Sequence, residues 1–333
     1  MATLPDEELS TLGAYAQQLQ RCLQYDPERG EGGREKQVFV EALTEIAALP
    51  LDSISMEIRR LLVGSNALEQ QLHLRHVIAA LSARDVQLKC KAANAVGSLC
   101  ISRMAGQQLL DGFGAQILQS VAKMATRKNQ WMQGDAFFVL GWMVVIADED
   151  TLTAIAELLP AVVKQLHRNL NLPVDAEGDV RGESDSASRR SKAALASSEQ
   201  ASNFRVYALV LLLNFSQRQV GVLAGQLDKL LPMLRDLVAK LLEPVAATST
   251  RTAFFDAAEY AEVLRLAITL LSALVDQLED AAPQLLELKV LPSLLKLKRV
   301  LGSREVAELV GEAGIKDLAE RLEAVVESLL NCR

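Results

Sequence analysis

Two helical phrases recur along the chain at matching intervals, and this periodicity constrains the fold more than any other feature. The first phrase is a short, tightly apolar helix that occurs four times. Its copies are "AVGSLCIS" (95–102), "VLGWMVVI" (139–146), "LLLNFSQR" (211–218) and "LLSALVDQ" (270–277). Aligned, they place Ser98, Trp142, Asn214 and Ala273 at one position, with separations of 44, 72 and 59 residues.

The second phrase opens an amphipathic helix with a proline or a small residue. Its copies lie at 114–124, 159–166, 231–238 and 291–298. Aligned on Ala115, Pro160, Pro232 and Pro292, they are separated by 45, 72 and 60 residues. The two phrases differ in sequence but agree in spacing to within one residue, so they indicate one repeated helical unit.

The longest interval contains a polar insertion at 171–200. This segment is rich in Ser, Asp and Glu and has almost no large apolar side chains, so it cannot bury enough surface to offset the entropy of ordering and is predicted to be mobile. Removing roughly 30 residues leaves about 42, a length typical of helical repeats. We expect the next helix to begin near Lys192, and a longer connection to occupy 243–256.

The rest of the chain favours helices. Residues 226–242 carry leucine and valine at three- and four-residue spacing, which is typical of an amphipathic helix. Half of the 333 residues are hydrophobic but only 4% are aromatic, and we find no convincing alternating strand pattern. The sequence therefore predicts an all-α chain.

These phrases resemble the armadillo repeat, in which three helices form one unit and the third is a buried apolar helix. The order of helices in this repeat can be followed through 72–100 and again through 114–143. The resemblance covers about residues 37 to 310. It implies a right-handed α-solenoid of armadillo/HEAT-like repeats, with about five to six units.

The expected domain organisation follows from this resemblance and from the two loops. Residues 1–36 form a capping helix and a charged Gly-rich loop, and 37–170 form the first repeats. The insertion occupies 171–200, and 201–333 form further repeats and a C-terminal capping helix.

The run from Ala136 to Ala147 has no charged residue and resembles a membrane anchor at first sight. A spanning helix needs about 18 apolar residues, and no segment of this sequence reaches that length. The start of the chain also lacks a signal-peptide pattern. We predict that this run is an inner helix of the repeats, and that Asp148 to Asp150 open the next helix.

Charge and cysteine usage narrow the class of protein. A net charge of −7 and a pI near 5.2 argue against sequence-independent nucleic-acid binding. The best basic cluster is more typical of a solvated helix face; it comprises Lys289, Lys296, Lys298 and Arg299. The four cysteines form no CxxC motif, so we expect free thiols and a cytoplasmic location, with the nucleus as the alternative.

The residues that could perform catalysis form no recognisable pattern. His73 and His76 share a helix spacing, but no third ligand lies near them for a metal. Cys90 and Cys100 are typical buried thiols, and no phosphate-binding GxxxxGK[ST] motif occurs. We predict no enzymatic activity, no cofactor and no metal site.

A protein-interaction scaffold or adaptor is therefore the predicted function, with another protein or an extended peptide as the partner. The candidate binding residues lie on or beside the third helices: Asn94, Ser98, Trp131, Asp135, Phe138, Trp142, Tyr207 and Asn214. Nuclear-import carriers of the armadillo type repeat a Trp and an Asn there, and only Asn214 matches. A nuclear-transport-type adaptor and a nucleic-acid-binding HEAT-like protein are the alternatives.

Two further features concern regulation and assembly. Ser188 and Ser191 flank the pair Arg189-Arg190, a pattern that a kinase can recognise. The last helix carries an apolar stripe that either caps the repeats or forms a homodimer; it consists of Leu318, Leu322, Val325 and Leu329. Both interpretations of the stripe stay open at this point.

Overall fold

The computed structural model describes residues 6–30, 33–50, 67–171, 187–243 and 254–332. Within these ranges the regular structure consists of fifteen helices and no strand, which confirms the all-α prediction. In chain order they are α1 (Asp6–Cys22), α2 (Gly33–Ala48), α3 (Ala67–Ala80), α4 (Val86–Ile101), α5 (Arg103–Ala125), α6 (Gln130–Ile146), α7 (Glu149–Ala156), α8 (Leu159–Leu170), α9 (Ala187–Ala224), α10 (Leu227–Leu241), α11 (Ala257–Gln277), α12 (Ala281–Glu287), α13 (Leu291–Leu301), α14 (Arg304–Val310) and α15 (Glu312–Asn331).

The chain divides into two compact units, unit 1 (Met1–Ile155) and unit 2 (Ala156–Arg333). Residues 172–186 of the predicted mobile insertion lie outside the described residues, so its mobility and the predicted domain limits remain predictions. Helix α9 begins at Ala187, five residues earlier than the start expected near Lys192, because the alanine, arginine and lysine residues there have high helix propensity.

Unit 1 is organised around α4, which packs against α2 on one side and α6 on the other. Helix α5 packs on both α4 and α6, while α1 packs on α2. Side-chain caps define where the inner helices begin: Asp85 Oδ1 accepts from the Leu88 amide at 3.0 Å, and Asn129 Oδ1 accepts from the Met132 amide at 3.1 Å. Such caps satisfy amides that have no partner within the helix.

The apolar run from Ala136 to Ala147 is the buried inner helix that the sequence predicts. Eleven of the seventeen residues of α6 are buried, among them Phe137, Leu140 and Val144. Asp148 then caps α7, accepting a hydrogen bond from the Thr151 amide at 2.9 Å. The buried helix and the acidic start of the next helix are both confirmed.

Unit 2 repeats this arrangement with α9, α11 and α15 packed in sequence. Helix α10 packs on α8 and α11, and α13 packs on α15. The predicted long connection near 243–256 falls between the end of α10 and the start of α11, and its residues 244–253 lie outside the described part. On α15 the apolar stripe is buried in the unit, against α11 and the short helices that follow it, which corresponds to the capping alternative.

Among the described residues, one helical stretch is long and apolar enough to cross a membrane, judged by length and composition alone. It is Asn203–Ala224, the C-terminal part of α9. It meets this criterion by average composition and is not an unbroken run of about 18 apolar residues, since Arg205 and Arg218 lie within it. The helix carries buried core side chains such as Leu209 and Leu212 and packs against α11. Its buried apolar side chains thus contribute to the interior of unit 2.

A buried ion pair joins α9 and α11 in unit 2. Arg205 donates two hydrogen bonds to the Glu259 carboxylate, from Nε and, at 2.8 Å, from Nη2. Its Nη1 reaches Asn169 Oδ1 of α8 at 3.1 Å, and its guanidinium lies 4.6 Å from the centre of the Phe254 ring. Arg205 is 5% exposed and Glu259 is 3% exposed, so the pair survives only because these partners replace water.

Removing one member of this pair leaves an uncompensated buried charge. We expect Arg205→Met to lower the free energy of unfolding by about 3–5 kcal/mol, measured by urea denaturation followed by circular dichroism. The exposed pair of Lys298 and Glu323, at 2.7 Å, provides the control, and Lys298→Met costs less than about 1 kcal/mol. Equal losses for the two variants would contradict this interpretation.

Candidate functional site

Helix α6 leaves one stripe accessible. Apart from Gln130 at its first position, the residues that are not buried follow one another at four- and three-residue steps, so they lie on one face. They are Trp131, Asp135, Phe138, Trp142 and Val145. Trp131 is 45% exposed and Val145 37% exposed, while the other three are half-buried.

A second stripe on α4 adjoins the first. It contains the half-buried Asn94 and Ser98 and the exposed Ile101. Asn94 Nδ2 donates a hydrogen bond to Asp135 Oδ1 of α6 at 3.1 Å. Because this bond connects the two stripes, they form one surface, the α4–α6 face, which comprises Asn94, Ser98, Ile101, Trp131, Asp135, Phe138, Trp142 and Val145.

The two helices approach closely at Gly97. A Cβ atom at this position would lie 2.4 Å from the Cδ1 and Cε1 atoms of the Phe138 ring. Only glycine therefore allows the ring to lie directly on α4. Phe138 was predicted from the sequence as part of the face, whereas the glycine beneath it was not.

The polar side chains of α4 also hold the fold together. Ser98 Oγ donates to the Ala47 carbonyl at 3.1 Å, near the end of α2, where the last carbonyls have no partner within the helix. Asn94 Nδ2 also contacts the Cys90 carbonyl at 3.1 Å. These two residues therefore connect neighbouring helices, and their accessible edges border the face.

Asp135 is the acidic group of the α4–α6 face. Burial raises the pKa of its carboxyl to about 6, although hydrogen bonds from Cys90 and Asn94 and the nearby charge of Lys91 oppose the increase. Burial beside Asp135 also raises the pKa of the Cys90 thiol, so this thiol stays protonated and is a poor nucleophile. The cluster is suited to hydrogen bonding and not to covalent chemistry.

Tyr207 and Asn214 belong to unit 2 and form a separate candidate surface on α9. Both are half-buried and lie seven residues apart, on one face of the helix. The neighbouring helix α11 has a similar stripe, with Glu262 and Arg265 paired to each other and with Thr269 beyond them. This surface is polar, whereas the α4–α6 face is largely aromatic and apolar.

Sequence reasoning missed Ile101 and Val145 as members of the face. The signal was present, since Val145 continues the spacing from Trp131 to Trp142, and Ile101 lies seven residues after Asn94. The burial of the intervening residues, which makes these stripes the accessible ones, could not be inferred from one sequence.

The remaining predicted residues have the following places. Ser188 and Ser191 lie at the start of α9, and their side chains lie outside the described part of the chain, as does that of His73. His76 Nδ1 is 2.7 Å from the Tyr25 carbonyl oxygen. In the basic cluster Lys298 is paired with Glu323.

Comparison with known structures identifies the fold. A designed armadillo repeat protein aligns with 94% of this chain and 98% of its own, at 15% identity and a TM-score of 0.54. A computationally designed armadillo repeat protein for modular peptide recognition covers the same shares at 14% identity and a TM-score of 0.54. A third, a designed armadillo repeat protein in complex with the peptide (KR)4, has 16% identity, the same shares and a TM-score of 0.53.

No protein-family model matches the chain, and none of the curated proteins matches it significantly. The structural likeness, at such low identity, establishes the fold alone. The chain has an armadillo-type helical repeat fold, as the recurring phrases predict.

The contact between Gly97 and Phe138 predicts a clear mutational result. Gly97→Ala forces the ring off α4 and lowers the free energy of unfolding by about 1–3 kcal/mol, even though alanine is the better helix former. A Cβ atom at Gly221 would have no neighbour within 4 Å, so Gly221→Ala is neutral or stabilising. Thermal and urea unfolding measure the stability of both variants. If Gly97→Ala loses no more free energy of unfolding than Gly221→Ala does, the contact between Gly97 and Phe138 is not tight.

Replacing the Asp135 carboxyl is expected to stabilise the protein in a pH-dependent way. A carboxyl whose pKa is raised in the folded protein makes the wild type less stable as pH rises from about 4 to about 6. Asp135→Asn lacks this cost and is more stable than the wild type by about 1–2 kcal/mol near pH 7.5, and nearly equal to it near pH 4. Urea unfolding at the two pH values measures the difference.

Asp148 provides the control for this experiment. The hydrogen bond from the Thr151 amide lowers the pKa of Asp148, so its carboxylate stabilises the folded state at neutral pH. Asp148→Asn therefore gives no gain near pH 7.5. A gain for Asp135→Asn that persists unchanged at about pH 4 would rule out the titration of Asp135 as its cause.

Proposed function

We propose that this chain is a non-catalytic protein-interaction module that binds an extended segment of a partner protein on the α4–α6 face. One observation carries this proposal. Eight large apolar side chains are exposed among the described residues, and three of them, Ile101, Trp131 and Val145, belong to this face. The half-buried Phe138 and Trp142 lie between Trp131 and Val145 along α6 and make the apolar stripe continuous. Scattered apolar residues are normal on a protein surface, whereas a contiguous group indicates an interaction site.

The chemistry of the face supports a peptide partner. Trp131 and Trp142 offer large, stiff contact surfaces, and tryptophan is enriched among the residues that dominate binding energy. Asn94 and Asp135 lie between them and provide polar groups for hydrogen bonding. A complementary segment therefore carries apolar side chains and places one hydrogen-bond donor, an amide or a cation, opposite Asp135.

The known structures support the same interpretation at the level of the fold. The similar designed proteins include one made for modular peptide recognition and one in complex with (KR)4. Peptide recognition by proteins of similar fold supports a scaffold or adaptor function here. Free thiols at Cys22, Cys90, Cys100 and Cys332 support the cytoplasm or the nucleus as the proposed location.

Peptides selected from a random-sequence display library against the whole chain test this function. Fluorescence anisotropy then compares their affinity for the wild type and for variants. Trp131→Ala and Trp142→Ala each weaken binding by about tenfold or more, since truncating a central aromatic anchor costs about 2 kcal/mol. The matched control is Leu295→Ala in unit 2, which removes an apolar side chain that is 44% exposed and leaves the affinity unchanged.

Two outcomes would contradict the proposal. One is that the library yields no peptide that binds the wild type. The other is that selected peptides bind both tryptophan variants as well as they bind the wild type, in which case another surface is responsible.

A further inference from the structure

Unit 1 contains a cleft, and none of the residues that line it belongs to the α4–α6 face. Its volume is about 740 Å³, within the range typical of sites for small molecules. The loop at 25–30, the link at 82–85 and parts of α2, α3, α4 and α5 form its walls. Leu88 is the one residue of α4 that lines it, and Leu88 is not part of the α4–α6 face.

Tyr25 is the residue that makes this cleft distinctive. Its side chain is packed against Phe39, with the ring centroids 5.3 Å apart, and only 3% of the residue is exposed. His76 holds its backbone carbonyl at 2.7 Å. The ring is therefore positioned by packing on Phe39, and the backbone of the residue by its contact with His76.

The hydroxyl of Tyr25 forms no hydrogen bond within the described residues. Some polar atoms of the described residues are completely enclosed and lack a partner, and this hydroxyl is not one of them. It is therefore not sealed within the core, and Tyr25 is one of the residues that line the cleft. A phenol hydroxyl can both donate and accept a hydrogen bond, so this group is available to a ligand that enters the cleft.

The charges around the cleft indicate the kind of group. Lys36 pairs with Asp85 at 2.5 Å. Arg29 pairs with Asp26 at 3.2 Å. Arg84 lines the same cleft and forms no ion pair within the described residues. The residues that line the cleft include three cationic side chains, Arg29, Lys36 and Arg84, and two acidic ones, Glu28 and Asp85. The cleft therefore favours a ligand that brings negative charge to Arg84.

We infer that this cleft binds a small organic anion. A carboxylate or phosphate oxygen accepts hydrogen bonds from the Arg84 guanidinium and the Tyr25 hydroxyl, and Lys36 adds positive charge from one side. Ala79, Ala83 and Pro27 supply apolar surface for the carbon skeleton. This inference does not depend on the function proposed for the α4–α6 face.

Isothermal titration calorimetry of the whole chain with two probes, inorganic phosphate and succinate, tests the inference. The wild type binds at least one of them, and the preferred probe distinguishes a phosphate ligand from a carboxylate ligand. Tyr25→Phe removes only the hydroxyl and weakens binding by about five- to tenfold, and Arg84→Gln weakens it by at least as much.

Arg103→Gln is the matched control, because Arg103 is an exposed arginine of the same unit outside the cleft. It binds like the wild type. Circular dichroism verifies that Tyr25→Phe and Arg84→Gln are folded. The inference is overturned if neither probe binds at concentrations up to about 10 mM, or if both cleft variants bind the probes as tightly as Arg103→Gln does.

Discussion

The side-by-side packing of inner helices is the constraint on which the rest of the structure depends. In unit 1, α4 lies between α2 and α6, and the Phe138 ring of α6 lies directly on Gly97 of α4. Helices packed in this way bury much of their circumference and leave a narrow accessible surface. On α6 this surface is the stripe of Trp131, Asp135 and Trp142, and on the adjoining α4 it includes Asn94 and Ser98. The proposed binding surface is therefore a direct consequence of the packing.

The same constraint is met differently in the two units. At the contact of α4 with α6, a glycine permits close apolar packing, and the Asn94–Asp135 hydrogen bond lies at its edge. At the contact of α9 with α11, the buried pair of Arg205 and Glu259 lies within the interface and is enclosed by aromatic rings. Apolar contacts tolerate small shifts, whereas a buried ion pair requires one geometry. The junction in unit 2 thus contains a buried polar interaction, whereas the polar interaction of the unit 1 junction lies at its edge.

The sequence predicted the fold because its signal is repetition. Two phrases with equal spacing place the inner helices, and the uncharged run around Phe137 identifies the most buried of them. The face was predicted in part, since Trp131, Asp135, Phe138 and Trp142 were selected while Ile101 and Val145 were not. The Arg205–Glu259 pair and the cleft at Tyr25 could not be predicted from the sequence. Arg205 and Glu259 are 54 positions apart, and Tyr25 and Arg84, which both line the cleft, are 59 positions apart. Such contacts depend on the packing of several helices and leave no local pattern.

The central claim is that the α4–α6 face binds the partner, and intrinsic tryptophan fluorescence tests it directly. Trp131 and Trp142 are the two tryptophans of the chain, and both lie on this face. Saturation with a selected peptide that contains no tryptophan should shift their emission to shorter wavelength. It should also reduce acrylamide quenching by about half, since an interface covers the exposed surface of Trp131. Unchanged emission and unchanged quenching with the peptide fully bound would contradict the account.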